Sequence, residues 1–136
     1  MERLVLDAGP LIALVSEKDH YHSEAKRGFS QIHHNFGEVL TPLPILFEVY
    51  KFVSRNESIR LARKLLSIIQ NDTIVIPIST TDFTPISDLV LQITDWQGTL
   101  EDASVIVIAQ EYNAQVWTFD YKDLGYFRNI EFWNPS

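Results

Sequence analysis

Short apolar runs alternate along this chain with longer stretches whose apolar residues recur at helical spacing. RLVLD at residues 3–7 is β-rich and is cut by Ala8-Gly9-Pro10 before apolar positions resume from Leu11 to Val15. Pro suits the first turn of a helix, where a missing N–H costs nothing, so the pattern predicts strand, turn and helix, with Asp7 closing the strand. His20 to Asn35 is polar and helix-compatible, Glu38 to Thr41 is a second strand, and Pro44 opens a helix that runs to about Ser54. Asn56 to Gln70 carries apolar residues at 59, 62, 65, 66 and 69, the stripe of a helix packed on one side. Thr73 to Ile78 is strand-like, and apolar positions 83, 86, 89, 90 and 93 predict a helix over Thr80 to Trp96. Thr99-Leu100-Glu101-Asp102 has the form of a capping box ahead of Ala103 to Ala109, which is apolar nearly all round and must be buried. Gln115 to Phe119 is the last strand, and it ends at Asp120.

Strands separated by helices pair in parallel through crossover connections, which gives a layered α/β sheet. Sites in such sheets form outside the carboxyl ends of the strands. Asp7 and Asp120 both stand where a strand ends, so their carboxylates share one crevice if those strands are neighbours.

Composition narrows the chemistry. With 136 residues and 46% hydrophobic content, the chain suits one domain, residues 1–136, and every motif is read as part of one fold. The absence of Cys removes disulfides, thiolate catalysis and cysteine-based zinc sites, and fits a cytoplasmic protein. The longest candidate for membrane insertion, Val105 to Ala109, is far short of the ~20 apolar residues that span a bilayer. A net charge of −7 argues against indiscriminate binding to a polyanion. Five bases nevertheless cluster in one stretch, Lys51, Arg55, Arg60, Arg63 and Lys64; they form either a solvated helical face or a phosphate-contacting patch for RNA.

The acids each have an ordinary structural role available. Asp7 could receive N–H groups of the following turn, Asp102 is the N3 residue of the capping box, and Asp120 could serve the turn Tyr121-Lys122-Asp123. Glu48 is harder to dismiss. It lies at the edge of the apolar arc of Ile45, Val49, Phe52 and Val53, with no base at 44 or 52, so a half-buried carboxylate must find its partner elsewhere in the fold. Clustered carboxylates repel one another unless a cation neutralises them, and hard oxygen ligands favour Mg²⁺ or Mn²⁺. His20, His22, His33 and His34 do not share a helical face at their spacings and read as surface residues. No Gly-rich phosphate loop or Ser/His/Asp arrangement is present.

These residues carry a resemblance. LVLDAGPLIAL near the start, PILFEVYKF around Glu48 and LEDASVIVIAQEYNAQVWTFDYKDL near the end make the chain similar to PIN-domain ribonucleases, specifically the VapC-like toxins of type II toxin–antitoxin pairs. The resemblance runs nearly end to end and implies a three-layer sandwich, a central, mostly parallel sheet flanked by helices. It places Asp7, Glu48, Asp102 and Asp120 at the family's four acids and Thr118 at the supporting hydroxyl. It further implies Mg²⁺ or Mn²⁺ held by Asp7, Asp102 and Asp120, with Glu48 orienting water or completing the shell, and hydrolysis of RNA that leaves a 5′-phosphate and a 3′-hydroxyl. A homodimer and a cognate antitoxin are implied as partners. Gly9 departs from the pattern, since the family usually has Ser, Thr or Asn two residues after the first acid.

Two other classes compete. A PIN-like scaffold would bind RNA while cleaving it weakly or not at all. A receiver-like phosphoacceptor module also gathers acids at strand ends, but it wants adjacent acids after the first strand and a Lys after the last, whereas Ala8 and Asp120 stand there.

Overall fold

The computed structural model describes residues 2–135. Its elements follow the alternation of the sequence: β1 (Arg3–Leu6), α1 (Ala8–Val15), α2 (His22–Asn35), β2 (Glu38–Pro42), α3 (Leu43–Asn56), α4 (Ile59–Asp72), β3 (Ile74–Ile76), α5 (Thr80–Gln92), α6 (Leu100–Glu111) and β4 (Gln115–Trp117), with a short 3₁₀ turn over Leu124–Tyr126. The strands lie in the order β3-β2-β1-β4 and every pairing is parallel, so the protein is a parallel sheet flanked by helices. The chain winds outward from β1 through β2 to β3, then returns through α5 and α6 to place β4 on the other side of β1. That reversal opens a crevice at the carboxyl ends of β1 and β4, the position where open α/β sheets put their sites.

The register sets which side chains meet there. Leu6 pairs with Trp117, and the Asp7 N–H continues the ladder to the Trp117 carbonyl at 3.1 Å. Asp7 and Thr118 therefore leave the sheet side by side. Strands β1 and β2 are almost wholly buried, and with Leu65, Ile69, Val105, Ile106, Ile108 and Val116 they form the core. Helix α6 is buried from Ala103 to Ala109, which is why its residues are apolar all round. It ends at Glu111, two residues before Asn113, whose φ of 51° is tolerable for Asn, while the Ala114 N–H reaches back to the Ala109 carbonyl.

Several boundaries differ from the sequence expectation. Strand β1 closes at Leu6, and Asp7 is instead the N-cap residue of a helix that begins at Ala8, with Pro10 inside its first turn where N–H groups lack partners anyway. Helix α4 starts at Ile59 because the Ser58 hydroxyl accepts the Leu61 N–H, a cap that apolar spacing alone does not reveal. Helix α5 ends at Gln92 rather than Trp96, and the Trp96 N–H closes a turn onto the Ile93 carbonyl. No helix among the described residues is long and apolar enough to cross a membrane.

Candidate metal centre

Two segments deliver the acids whose oxygens converge. Asp102 comes from the first turn of α6, where its Oδ2 accepts the Thr99 N–H at 3.0 Å and its own N–H donates to Thr99 Oγ1 at 3.1 Å. The capping box is real, but it engages only one of the two carboxylate oxygens, so it fixes the side chain without consuming it. Asp120 and Asp123 come from the turn after β4, where the Asp123 N–H donates to Asp120 Oδ1 at 3.2 Å. One carboxylate oxygen from each of Asp102, Asp120 and Asp123 lies within 4.8 Å of the others. Oxygens bound to one octahedral Mg²⁺ at ~2.1 Å would stand about 3 to 4.2 Å apart, so the trio fits such an ion after a small contraction.

Asp7 lies beside this trio. It is 4% exposed, and its Oδ2 accepts the Thr118 hydroxyl at 2.7 Å. The Thr118 oxygen in turn accepts the Asp120 N–H at 2.8 Å, so one buried hydroxyl couples the acid after β1 to the acid after β4. Replacing Thr118 with Val keeps the shape and removes both links; we expect a loss of about 1–3 kcal/mol in unfolding free energy, read by urea denaturation.

Burial and mutual repulsion both act on these carboxyls. Burial pushes the Asp7 carboxyl up from an ordinary 3.8 to about 6, against the Thr118 hydroxyl and the Ala8 N–H, with Asp102 and Asp120 adding repulsion. Glu48, half-buried on α3, is pushed to about 7 by burial and then by the charges of Asp7, Glu101 and Asp102. Asp102 is also raised, by burial first and by Asp120 and Asp123, against its hydrogen bonds with Thr99. The only ion pair among the described residues joins Arg3 to Glu38, outside this group, so none of these acids is ion-paired to a described residue. Like charges held this close want a metal, and the donors are all hard oxygens, which suits a divalent cation such as Mg²⁺ or Mn²⁺.

The sequence reading named Asp7, Glu48, Asp102 and Asp120 and passed over Asp123, which it treated only as part of a turn. The signal was the second acid three residues after Asp120, a spacing that a tight turn folds back onto itself. The trio of converging oxygens also differs from the expected ligand set, with Asp123 present and Asp7 one step removed. His20, His33 and His34 are exposed and His22 Nδ1 lies 2.7 Å from the Ala13 carbonyl oxygen; none joins the acids. Lys51, Arg55, Arg60, Arg63 and Lys64 are all exposed on α3 and α4, and the clefts lined by Lys51, Arg60 and Lys64 contain none of the acids named above.

Gly9 has a local cause. A Cβ there would meet Phe119 Cδ2 at 3.3 Å, so the ring of Phe119 occupies the space in which a larger residue at position 9 would stand. That ring stacks on Tyr21, with centroids 4.3 Å apart and planes 15° from parallel. The space is filled by an aromatic stack in place of a polar contact.

A family model described as PIN domain matches residues 4–132. Among solved structures, the chain resembles VapC20 of Mycobacterium tuberculosis, described as a sarcin-ricin loop cleaving toxin, with 17% identity, a TM-score of 0.82 and coverage of 93% of this chain and 98% of that one. It also resembles a chain of VapBC2 from Rickettsia felis bound to a promoter DNA fragment, at 14% identity and a TM-score of 0.76 over 97% of this chain and 98% of that one. A chain of DNA-bound VapBC from Salmonella typhimurium matches over 100% of both chains at 11% identity and a TM-score of 0.77. At these identities the likeness is one of fold. No curated protein matches the sequence.

Proposed function

The chain belongs to the PIN-domain family, and from that premise we propose that it is a divalent-metal-dependent endoribonuclease, the toxin of a type II toxin–antitoxin pair acting in the cytoplasm. The observation that carries this reading is the convergence of Asp102, Asp120 and Asp123 oxygens within 4.8 Å, beside a buried Asp7 and with no ion pair to any of them among the described residues. In this proposal Asp102, Asp120 and Asp123 hold Mg²⁺ or Mn²⁺. Asp7, aimed by Thr118, completes the negative wall. A cation there would supply positive charge for the phosphate and acidify water for in-line attack.

The chain's own groups have separate tasks. Thr118 keeps Asp7 and Asp120 in register. Glu48, half-buried on α3 and raised by burial and by the charges of Asp7, Glu101 and Asp102, is the acid placed to orient the attacking water. The site repels a polyanion until a cation is present, so substrate binding and metal loading are coupled. Lys51, Arg55, Arg60, Arg63 and Lys64 provide an outlying anchor for the RNA backbone. The test is cleavage of total RNA by the purified protein with Mn²⁺ or Mg²⁺. Fragments carrying a 5′-phosphate, and their loss in EDTA, support the reading; intact RNA under all metal conditions sinks it.

Partners follow from the same reading. Structural relatives solved as toxin–antitoxin complexes support a cognate antitoxin for this chain. A homodimer is supported by one apolar groove lined by Leu43, Pro44, Phe47, Phe83, Ile86 and Leu100, in which Phe47, Phe83 and Leu100 are 66%, 55% and 52% exposed. Exposed large apolar side chains gathered in one patch mark a surface that a partner covers. Phe47→Glu should convert a dimer to a monomer in light scattering after size exclusion; a wild-type protein already monomeric at high concentration would remove the dimer.

A further inference from the structure

We propose that Trp96 is a positioning residue for the metal centre, its indole N–H holding the backbone carbonyl of Asp123 so that the 120–123 turn stays aligned with the first turn of α6. The inference rests on the metal-binding reading above.

Trp96 is 7% exposed, and its single polar atom, Nε1, donates to the Asp123 carbonyl at 2.9 Å. Filling the space with carbon alone would need only Phe or Leu; an indole adds a buried N–H that must find an acceptor. The acceptor it finds belongs to a residue whose carboxylate oxygen is in the converging trio. Because carbonyl and side chain hang from the same Cα, a shift of one moves the other.

The ring itself is pinned. Gly98 lies directly under the indole, so near that any Cβ at position 98 would overlap its six-membered ring. Phe127 meets the ring edge-on, with centroids 5.3 Å apart at 74°. Gly98 adjoins Thr99, the N-cap of α6, and Phe127 follows the 3₁₀ turn after Asp123. The indole thus spans the two segments that supply Asp102 on one side and Asp120 and Asp123 on the other. Its hydrogen bond fixes their separation.

The experiment is calorimetric titration with Mn²⁺, without RNA, of the wild type and of Trp96→Phe, Gly98→Ala and Phe127→Leu. Trp96→Phe keeps an aromatic ring and loses the donor, and should weaken Mn²⁺ binding by about tenfold or more. Gly98→Ala, which displaces the indole, should do the same. Phe127→Leu removes one support of the ring but keeps the N–H, and should lower thermal stability while weakening Mn²⁺ binding less than Trp96→Phe does. A merely structural Trp96 would lower stability in all three variants and affinity in none. Should Trp96→Phe not fold, the wild type carries the test through ¹⁵N-labelled indoles. The Trp96 N–H resonance should shift on saturation with Mg²⁺ while those of Trp117 and Trp133 stay. A folded Trp96→Phe with wild-type affinity, or an unmoved Trp96 resonance in metal-saturated wild type, overturns the inference alone. A wild type that binds no Mn²⁺ overturns the metal reading and this inference with it.

Discussion

Asp102→Asn is expected to slow RNA cleavage by on the order of 10²–10³-fold while changing unfolding free energy by no more than about 1 kcal/mol. Both halves follow from the geometry at the start of α6. The Asn amide oxygen can still accept the Thr99 N–H from the N3 position, and Thr99, the N-cap itself, is untouched, so the capping box survives. The loss of a negative charge near the helix N-terminus costs a few tenths of a kcal/mol to about 1 kcal/mol, and relief of repulsion from Asp120 and Asp123 works the other way. What cannot survive is the anionic oxygen shared with those two acids. Initial rates on a labelled RNA, set beside urea unfolding of the same sample, separate the effects. Wild-type rates in the variant would remove Asp102 from the proposed site.

The second large effect concerns pH and metal together. Asp7 is pushed to about 6 in the folded protein from 3.8, and Glu48 to about 7 from 4.5, both by burial first. Between the ordinary and the raised values, the folded state binds more protons than the unfolded state, so stability falls as pH rises. The favourable contribution is fully present below about pH 4 and is lost as pH climbs through about 6 to 7. For buried Asp7 alone the change is roughly 3 kcal/mol. Metal-free protein should therefore unfold more easily in urea at pH 8 than at pH 5. Saturating Mn²⁺ should abolish most of that difference, because the cation stabilises the charged form of the cluster. Asp7→Asn should remove the Asp7 part of the metal-free slope and leave the part that Glu48 contributes. A metal-free profile that rises with pH would contradict the assigned cause.

Much of this arrangement can be read in the chain because it is locally encoded. Asp7 and Asp120 follow β-rich runs that the apolar pattern marks, and Thr99 with Asp102 announces its cap in four residues. Other parts depend on pairing that no local pattern holds. That β4 lies next to β1, making Asp7 and Thr118 neighbours, is a consequence of strand order. Asp123 reads as an ordinary turn residue, and its N–H bond to Asp120 is that of a turn; that its carboxylate also lies near those of Asp102 and Asp120 is a tertiary fact. Trp96 is the last residue of the helix that the apolar positions predict over Thr80 to Trp96. The chain instead turns at Ile93, and the indole finds its partner 27 residues away. Gly9 could be seen to depart from the family pattern, but the ring of Phe119 that accounts for it could not.

The most direct test is anomalous diffraction from crystals soaked in Mn²⁺ at neutral pH. The account predicts a manganese peak bonded to oxygens of Asp102, Asp120 and Asp123, with Asp7 beside it. A fully soaked crystal with no peak there, or with manganese bound only at other acids, would contradict it.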